Sequence, residues 1–410
     1  MPEALEFYAI SLNFRINSYL WKSPIGWDSK KNCYFLNGRG HVCPCFWWYF
    51  VIFFVYILFT NGICVYILYR HVSGTRTTPL TGEQGTNVVG VLMTGTLLVM
   101  IAIGIYKYCD LIIPILNNIR DLYGDIIIFP KPCKLADKPK DTILFGHKIA
   151  SFRYQDGTLD RLGLFALIGL NVIPFIPLPM VTQLIFVAKT DVYNIFLEEV
   201  VHSDILNWVL TVTIRFVLSY ILFAESCRTI PFLVYIMGFP VQLIRRCVAI
   251  WANLSIRRRY QIQQPVIHFT HMHLIHSAVQ SPISNGVFGL MTMGLLLMLN
   301  INYSCIRLSV AKIGHYYYLY PITFVVVMTI VLLLLPCAIK IHERTKLLLK
   351  NWANQVGNDK YFKRKLKSMR PFRYYAGIND FYFYHTDRSL LTTYLMSIVN
   401  GTTDMLLTFK

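Results

Sequence analysis

Seven stretches of about twenty mostly apolar residues divide this chain, over 46–69, 88–106, 162–188, 204–226, 284–304, 317–339 and 389–409. A helix of that length crosses a hydrocarbon core of about 30 Å, and it satisfies its own backbone while doing so. The chain therefore reads as an all-α membrane protein with seven transmembrane helices. Its 410 residues are 55% hydrophobic and 15% charged, whereas soluble domains carry about 25% charged residues. The third stretch contains Pro174, Pro177 and Pro179, which a membrane helix tolerates when neighbours re-satisfy its backbone. No basic region with a short apolar run precedes Phe46, so the first helix is expected to serve as an uncleaved signal anchor.

The net charge of +18 raises the question of nucleic acid, and the placement of the charge answers it. With the N-terminal tail and the second, fourth and sixth loops on one side, that side holds the great majority of the 39 lysines and arginines. Positive residues stay cytoplasmic, so the N-terminus is expected inside and the C-terminus outside, the reverse of G-protein-coupled receptors. A multi-pass plasma-membrane protein follows, with lipid around it and no nucleic-acid partner. The whole of 1–410 reads as one seven-helix domain. Within it lie a cytoplasmic tail at 1–45, a cytoplasmic segment at 340–388 and the last helix at 389–409.

The loops assigned to the outside are short apart from Ser73–Asn87, so an external ligand is expected among the helices themselves. The inner loops are long and apolar. Asp110–Phe129 repeats apolar residues at helical spacing, and Thr229–Ile256 and Ile262–Ala278 are similar. The fourth, fifth and sixth spans are expected to continue as helices into the cytoplasm and to pack together or against further copies.

Polar and aromatic residues gather in the outer halves of the spans, and Gln183, Asn207, Trp208, Thr211, Asn300, Tyr303 and Tyr320 are candidate ligand contacts. Ordinary interfacial belt positions are the competing reading for each. Arg215, near the middle of the fourth span, is the eighth candidate, because an ionisable group there is costly. It contacts a ligand, pairs with an acid, bonds to backbone carbonyls or snorkels.

His268, His271, His273 and His276 wrap most of a helix with no Cys or acid among them, so a polar helix surface is expected and no metal. Cys64 and Cys305 approach the outer side, and Cys43 and Cys45 precede the first span as acylation candidates. Reduced, unmodified thiols are the simpler reading. Asn302-Tyr303-Ser304 and Asn400-Gly401-Thr402 are glycosylation sequons close to the membrane. No hydrolase, zincin or nucleotide-loop motif occurs, and no His falls within a span to hold a catalytic zinc, so neither an enzyme nor a cofactor is expected.

The last stretch is the most unusual. Thr393, Met396, Asn400, Thr403 and Leu407 share one stripe at helical spacing. Such polarity must face protein or water in lipid. Copies around an axis would make a narrow pore with hydrophobic constrictions; hydroxyls bonded back to the helix are the alternative. A basic run leads into it through Pro371-Phe372, Phe383 and Asp387-Arg388-Ser389-Leu390-Leu391. On these residues the chain resembles the insect gustatory receptor family, within the wider insect chemoreceptor group, whose signature is Thr-Tyr, five apolar residues, then Gln-Phe. Thr393-Tyr394 with Leu395–Val399 fits the first seven positions, after which Asn400-Gly401 stand in place of Gln-Phe. In a second alignment Thr403-Asp404 leads to Thr408-Phe409 with two residues fewer, and it keeps the short tail; Thr408 and Phe409 thereby join the pore-lining candidates. Sugar-sensing members carry Glu after the Tyr, where this chain has Leu395 or Met405.

The resemblance implies a homo- or heterotetrameric, ligand-gated, non-selective cation channel of sensory neurons, opened by a small-molecule tastant. It also implies a pore lined by the last helix, a central anchor of cytoplasmic helices and a ligand pocket among the second to sixth spans. A metabotropic seven-span receptor and a non-conducting accessory or developmental relative are the alternatives.

Overall fold

The computed structural model describes residues 4–37, 45–76, 79–128, 142–144, 147–149, 161–188, 190–200, 206–257, 263–310, 319–356, 359–378 and 381–408. Helix α1 (Ala4–Ile16) and a hairpin of β1 (Ile25–Asp28) with β2 (Cys33–Leu36) come first. Helix α2 (Phe46–Phe50) runs through a π-wound stretch, Val51–Asn61, into α3 (Gly62–Val72). Then come α4 (Gly82–Ile128), the short pair β3 (Thr142–Leu144) and β4 (His147–Ile149), α5 (Arg161–Asn171), α6 (Pro177–Thr182) and α7 (Val192–Val200). Helices α8 (Leu206–Arg257), α9 (Gln263–Ala278), α10 (Gln280–Val310), α11 (Leu319–Gln355) and α12 (Lys360–Ser368) follow. A hairpin of β5 (Tyr375–Ile378) and β6 (Phe381–His385) leads into α13 (Arg388–Thr408).

The all-helical expectation holds. Six helical segments are long and apolar enough to cross a membrane among the described residues, and they match the first six expected spans. The seventh, α13, is a 21-residue helix at the expected place, too polar to stand with them by composition. Helix α8 has 52 residues, or about 78 Å at 1.5 Å per residue, more than twice a hydrocarbon core. Its apolar stretch therefore continues well past any membrane as helix, as expected, and α11 does the same. The second span does so too: α4 absorbs most of the apolar 110–129 segment. Helix α9 precedes α10 with only Val279 between them.

Two elements differ from the sequence reading. The third span is not one helix: α5 ends at Asn171, a tight turn over Ile173–Phe175 intervenes, and Gln183–Ala188 after α6 is π-wound. Three prolines without an N–H within six residues break the i to i−4 ladder that neighbours were expected to repair. Helix α7, in a loop read as short, is amphipathic, with Val192, Tyr193 and Ile195 buried and Glu198 exposed.

One end of the bundle is built like a soluble domain. The α1 helix packs on α5, where Asn13 donates to the Leu170 carbonyl and Asn171 to that of Ala9 (3.2 Å). Beside them Trp251, Phe269, Trp352 and Phe372 are fully buried, with ring centroids 5.0–6.5 Å apart. His276 joins this cluster, at 5.5 Å from Phe372 and 5.1 Å from Tyr374. That corrects the reading of the histidine run as a polar surface. His271 is exposed, but His276 is covered by the chain returning through Phe372 and Tyr374. Burial, with His273 adding to it, pushes its imidazole down to about 4, so it stays neutral. Cys45 is buried and donates to the Asn37 carbonyl at 2.8 Å, and Cys64 and Cys305 are free thiols; Cys43 lies outside the described residues.

Removing a buried indole leaves a cavity as well as lost transfer energy. Trp352→Ala is expected to cost about 3–5 kcal/mol, seen as a lowered midpoint in thermal unfolding of the purified protein. Phe381, 79% exposed, should tolerate serine within about 0.5 kcal/mol.

Candidate functional site

The approach to the last helix is fixed by local chemistry. Gly377 has no room for a side chain, since a Cβ there would stand 1.9 Å from the Phe381 carbonyl oxygen. The antiparallel ladder of β5 with β6 carries a register shift between Ala376 and Gly377. Asp387 then caps α13, accepting from the Ser389 hydroxyl (2.7 Å) and the Leu390 N–H (2.9 Å). These bonds, that of Ser389 first, hold its carboxyl below the usual carboxylate range and complement the helix N-terminus. Arg388 forks onto Glu343 of α11, with Nη2 2.9 Å from Oε2.

Helix α13 has two faces. Tyr394, Ile398 and Thr402 are buried. Tyr394 donates to the Met291 carbonyl (3.3 Å) and Thr402 accepts from Asn302 (3.3 Å), both on α10. The contact is close. A Cβ on Gly401 would meet Leu299 at 2.8 Å, and one on Gly294 would meet the Tyr394 hydroxyl at 3.1 Å. The two sequons meet across this contact, so the Asn302 amide is a helix-packing group.

The opposite face is bare. Thr393, Met396, Asn400, Thr403, Leu407 and Thr408 are all exposed, and Phe409 lies outside the described residues. At 100° per residue the five-residue stripe lies centrally in an exposed arc of about half the helix. Several hydroxyls also bond back, Ser397 to the Thr393 carbonyl (2.9 Å) and Thr403 to that of Val399 (3.0 Å). Back-bonding, the alternative left open by the sequence, is thus realised for Ser397, Thr403 and Thr408, whose side chains remain exposed.

At the far end of the bundle three of the eight candidate ligand residues, Arg215, Asn300 and Tyr320, join hydrogen bonds between helices. Arg215 is buried and forks onto Asp191, Nε to Oδ1 at 3.2 Å and Nη2 to Oδ2; of the readings open for it, pairing with an acid is the one realised. Asp191 also caps α7, accepting from the Asn194 N–H at 2.9 Å. The adjacent Thr190 accepts from the Asn87 side-chain amide (3.0 Å), whose Oδ1 accepts from the Tyr320 hydroxyl (2.6 Å). Asn300 donates to the Thr86 carbonyl at 3.2 Å. Tyr303 is buried, and Gln183 and Thr211 are half-buried; Asn207 and Trp208 lie in the first turn of α8, their side chains outside the described set.

Sequence reasoning missed the partners Thr86, Asn87, Thr190 and Asp191. The Thr-Asp pair ahead of an amphipathic run was the available signal, since Asp is a preferred helix cap. It also missed Glu225, wholly buried, whose Oε1 accepts from Trp48 (2.6 Å), Arg228 (2.8 Å) and Thr229 (2.8 Å).

A cavity of about 860 Å³ lies elsewhere, between residues 13–27 and helices α4, α8, α10 and α11. None of the eight candidate ligand residues lines it. Among the described residues no group of three His, Cys, Asp or Glu side chains is placed to hold a metal.

Breaking a buried ion pair strands a charge. Arg215→Met and Asp191→Leu are each expected to cost about 3–5 kcal/mol, and the double variant to recover most of it. Thermal unfolding of the three proteins in one detergent checks this.

No protein-family model matches the sequence. No curated protein matches it either. The structure is similar to that of the insect olfactory receptor OR5 from Machilis hrabei, solved in complex with eugenol. The TM-score is 0.59 at 12% identity, over 98% of this chain and 98% of that one. Both chains are matched nearly end to end, and this chain has the fold of that receptor.

Proposed function

We propose that this chain is a subunit of a ligand-gated, non-selective cation channel that opens to small-molecule tastants, with α13 lining the pore. The observation that carries the reading is the bare stripe of α13. The chain buries Tyr394, Ile398 and Thr402 and leaves Thr393, Met396, Asn400, Thr403 and Leu407 uncovered. Polar groups at membrane depth need protein or water, and four copies about an axis supply both. The shared fold with an olfactory receptor supports a receptor that takes small organic ligands. In this reading the N-terminus, the 340–388 segment and the hairpin end lie in the cytoplasm. The C-terminus lies outside, and the protein sits in the plasma membrane of sensory neurons as a homo- or heterotetramer. No catalytic step is involved.

Small side chains in a narrow pore set conductance and block. Asn400→Ala and Thr403→Ala are expected to change single-channel conductance or block by about twofold or more, recorded in patches from cells expressing the chain. Unchanged currents in both variants would remove the stripe from the pore. A C-terminal epitope should label on intact cells; labelling only after permeabilisation would overturn the topology and favour a metabotropic receptor.

A further inference from the structure

Positive charge is concentrated in one segment of the chain. From Lys340 to Arg373 there are eleven lysines and arginines and two acids, Glu343 and Asp359. Both acids are engaged. Glu343 takes the Arg388 guanidinium at 2.9 Å, and Asp359 caps α12, accepting from the Phe362 N–H at 3.0 Å.

Helix α12 turns this excess into a surface. Lys360, Lys363, Arg364 and Lys367 fall within one arc of about 100°. Phe362 and Leu366 turn away from that arc and join the hydrophobic core, Leu366 at 3% exposure, so the helix cannot roll to spread its charges. Lys360, Arg364 and Lys367 are exposed and Lys363 is half-buried. None of the four pairs with an acid among the described residues. Lys360 with Arg364, and Lys363 with Lys367, are like charges four residues apart, which destabilise a helix until an anion offsets them.

The familiar reasons for such a stripe do not apply. Charges that orient a span act within about 15–20 residues of its end, and the stripe stands about twenty residues or more from both Lys340 and Arg388. The bilayer surface does not reach it either. Helix α11 runs on from Lys340 to Gln355 before the chain turns into α12, about 22 Å, and a surface potential fades within a Debye length of about 8 Å. A second copy brings the same excess, 39 cations against 21 acids. The cations also have no apolar side chain among them to anchor a protein partner.

What fits is a compact anion free in water. Arg364 supplies the planar fork that phosphate accepts, and the lysines act as point charges beside it. The rise from Lys360 to Lys367 is about 10.5 Å, too long for one phosphate and suited to several on one small molecule. We infer that the α12 stripe binds a soluble polyphosphate, a compact molecule with three or more phosphate groups. A cytoplasmic source for it rests on the topology proposed above; the binding itself does not.

Purified full-length protein in phosphatidylcholine nanodiscs at about 0.15 M salt is titrated with tritiated inositol hexakisphosphate. Saturable binding is expected, with inorganic phosphate competing about a hundredfold less well. The double variant Lys363→Gln, Lys367→Gln and the single variant Arg364→Gln should each weaken binding by about tenfold or more. The double variant Lys30→Gln, Lys31→Gln removes two exposed lysines from the turn between β1 and β2 and should leave binding unchanged. Thermal unfolding without ligand checks that each variant folds, and the ligand should raise the midpoint of the wild type but not of the α12 variants. Adding phosphatidylinositol bisphosphate to the nanodiscs should displace nothing; displacement would assign the stripe to the membrane surface and overturn the proposal. Polyglutamate competing as well as unlabelled hexakisphosphate would overturn it in favour of an acidic protein. Absence of saturable binding, or an equal loss in the Lys30 and Lys31 variant, would also overturn it. None of these readouts involves conduction, so the outcome is separate from that of the pore reading.

Discussion

The close seating of α13 on α10 is the contact on which the rest depends. Two glycines, Gly294 and Gly401, let the backbones approach until a single added carbon would collide with Tyr394 or Leu299. Small residues serve this purpose wherever lipid supplies no hydrophobic drive between helices. Because the seat is made by Tyr394, Ile398 and Thr402, the rotation of α13 about its own axis is settled within one chain. The stripe from Thr393 to Leu407 is therefore turned outward by contacts within the chain itself.

The chain meets two solvents and holds together differently in each. At the hairpin end it has a core that any soluble domain would recognise, with Trp251, Phe269, Trp352 and Phe372 in ring contact and α1 laid across α5. Water drives that burial. At the α7 end the cohesion is polar. Asp191 with Arg215, Thr190 with Asn87 and Tyr320, and Thr86 with Asn300 tie four long helices to the start of α7. The fraction buried follows the same division of labour. Of the apolar stretch of α8, 61% is covered by the rest of the chain, against 22% for α10 and 24% for α11. Helix α8 is thus the post around which the others stand.

Much of this was legible in the sequence, and the physical reason is period. Twenty apolar residues in a row specify a helix with no tertiary information, so six spans and the polar seventh fell in place. The long apolar inner segments likewise announced helices longer than a membrane. The stripe on α13 was legible because three small polar residues, Thr393, Asn400 and Thr403, keep step with Met396 and Leu407 at 3.6 residues per turn. What was not legible was pairing. Nothing local to Arg215 names Asp191, and nothing near His276 says that Phe372 and Tyr374 return to cover it. The three prolines of 174–179 could be read as tolerated or as breaks, and only the neighbours decide. The cavity was hidden for the same reason, since Asn17 and Trp21 belong to a tail that reads as a cytoplasmic extension until it packs.

Helix α10 touches the hydrogen bonds at the α7 end, the cavity and α13. Asn300 joins those bonds through Thr86, Leu290 and Met291 line the cavity, and the Met291 carbonyl receives the Tyr394 hydroxyl of α13. Tyr394 lines the cavity as well, so the back of the helix with the bare stripe forms part of the cavity wall. Contiguity alone is not coupling, which requires a contact with two arrangements. Here the α10–α13 seat restricts what those arrangements are. With Gly401 against Leu299 and Gly294 against Tyr394 there is no slack for α13 to move toward α10, and packed interfaces shift between discrete positions instead of deforming smoothly. Any rearrangement that moves the stripe must then carry α10 along or unseat Tyr394, and both moves change the volume of the cavity behind it.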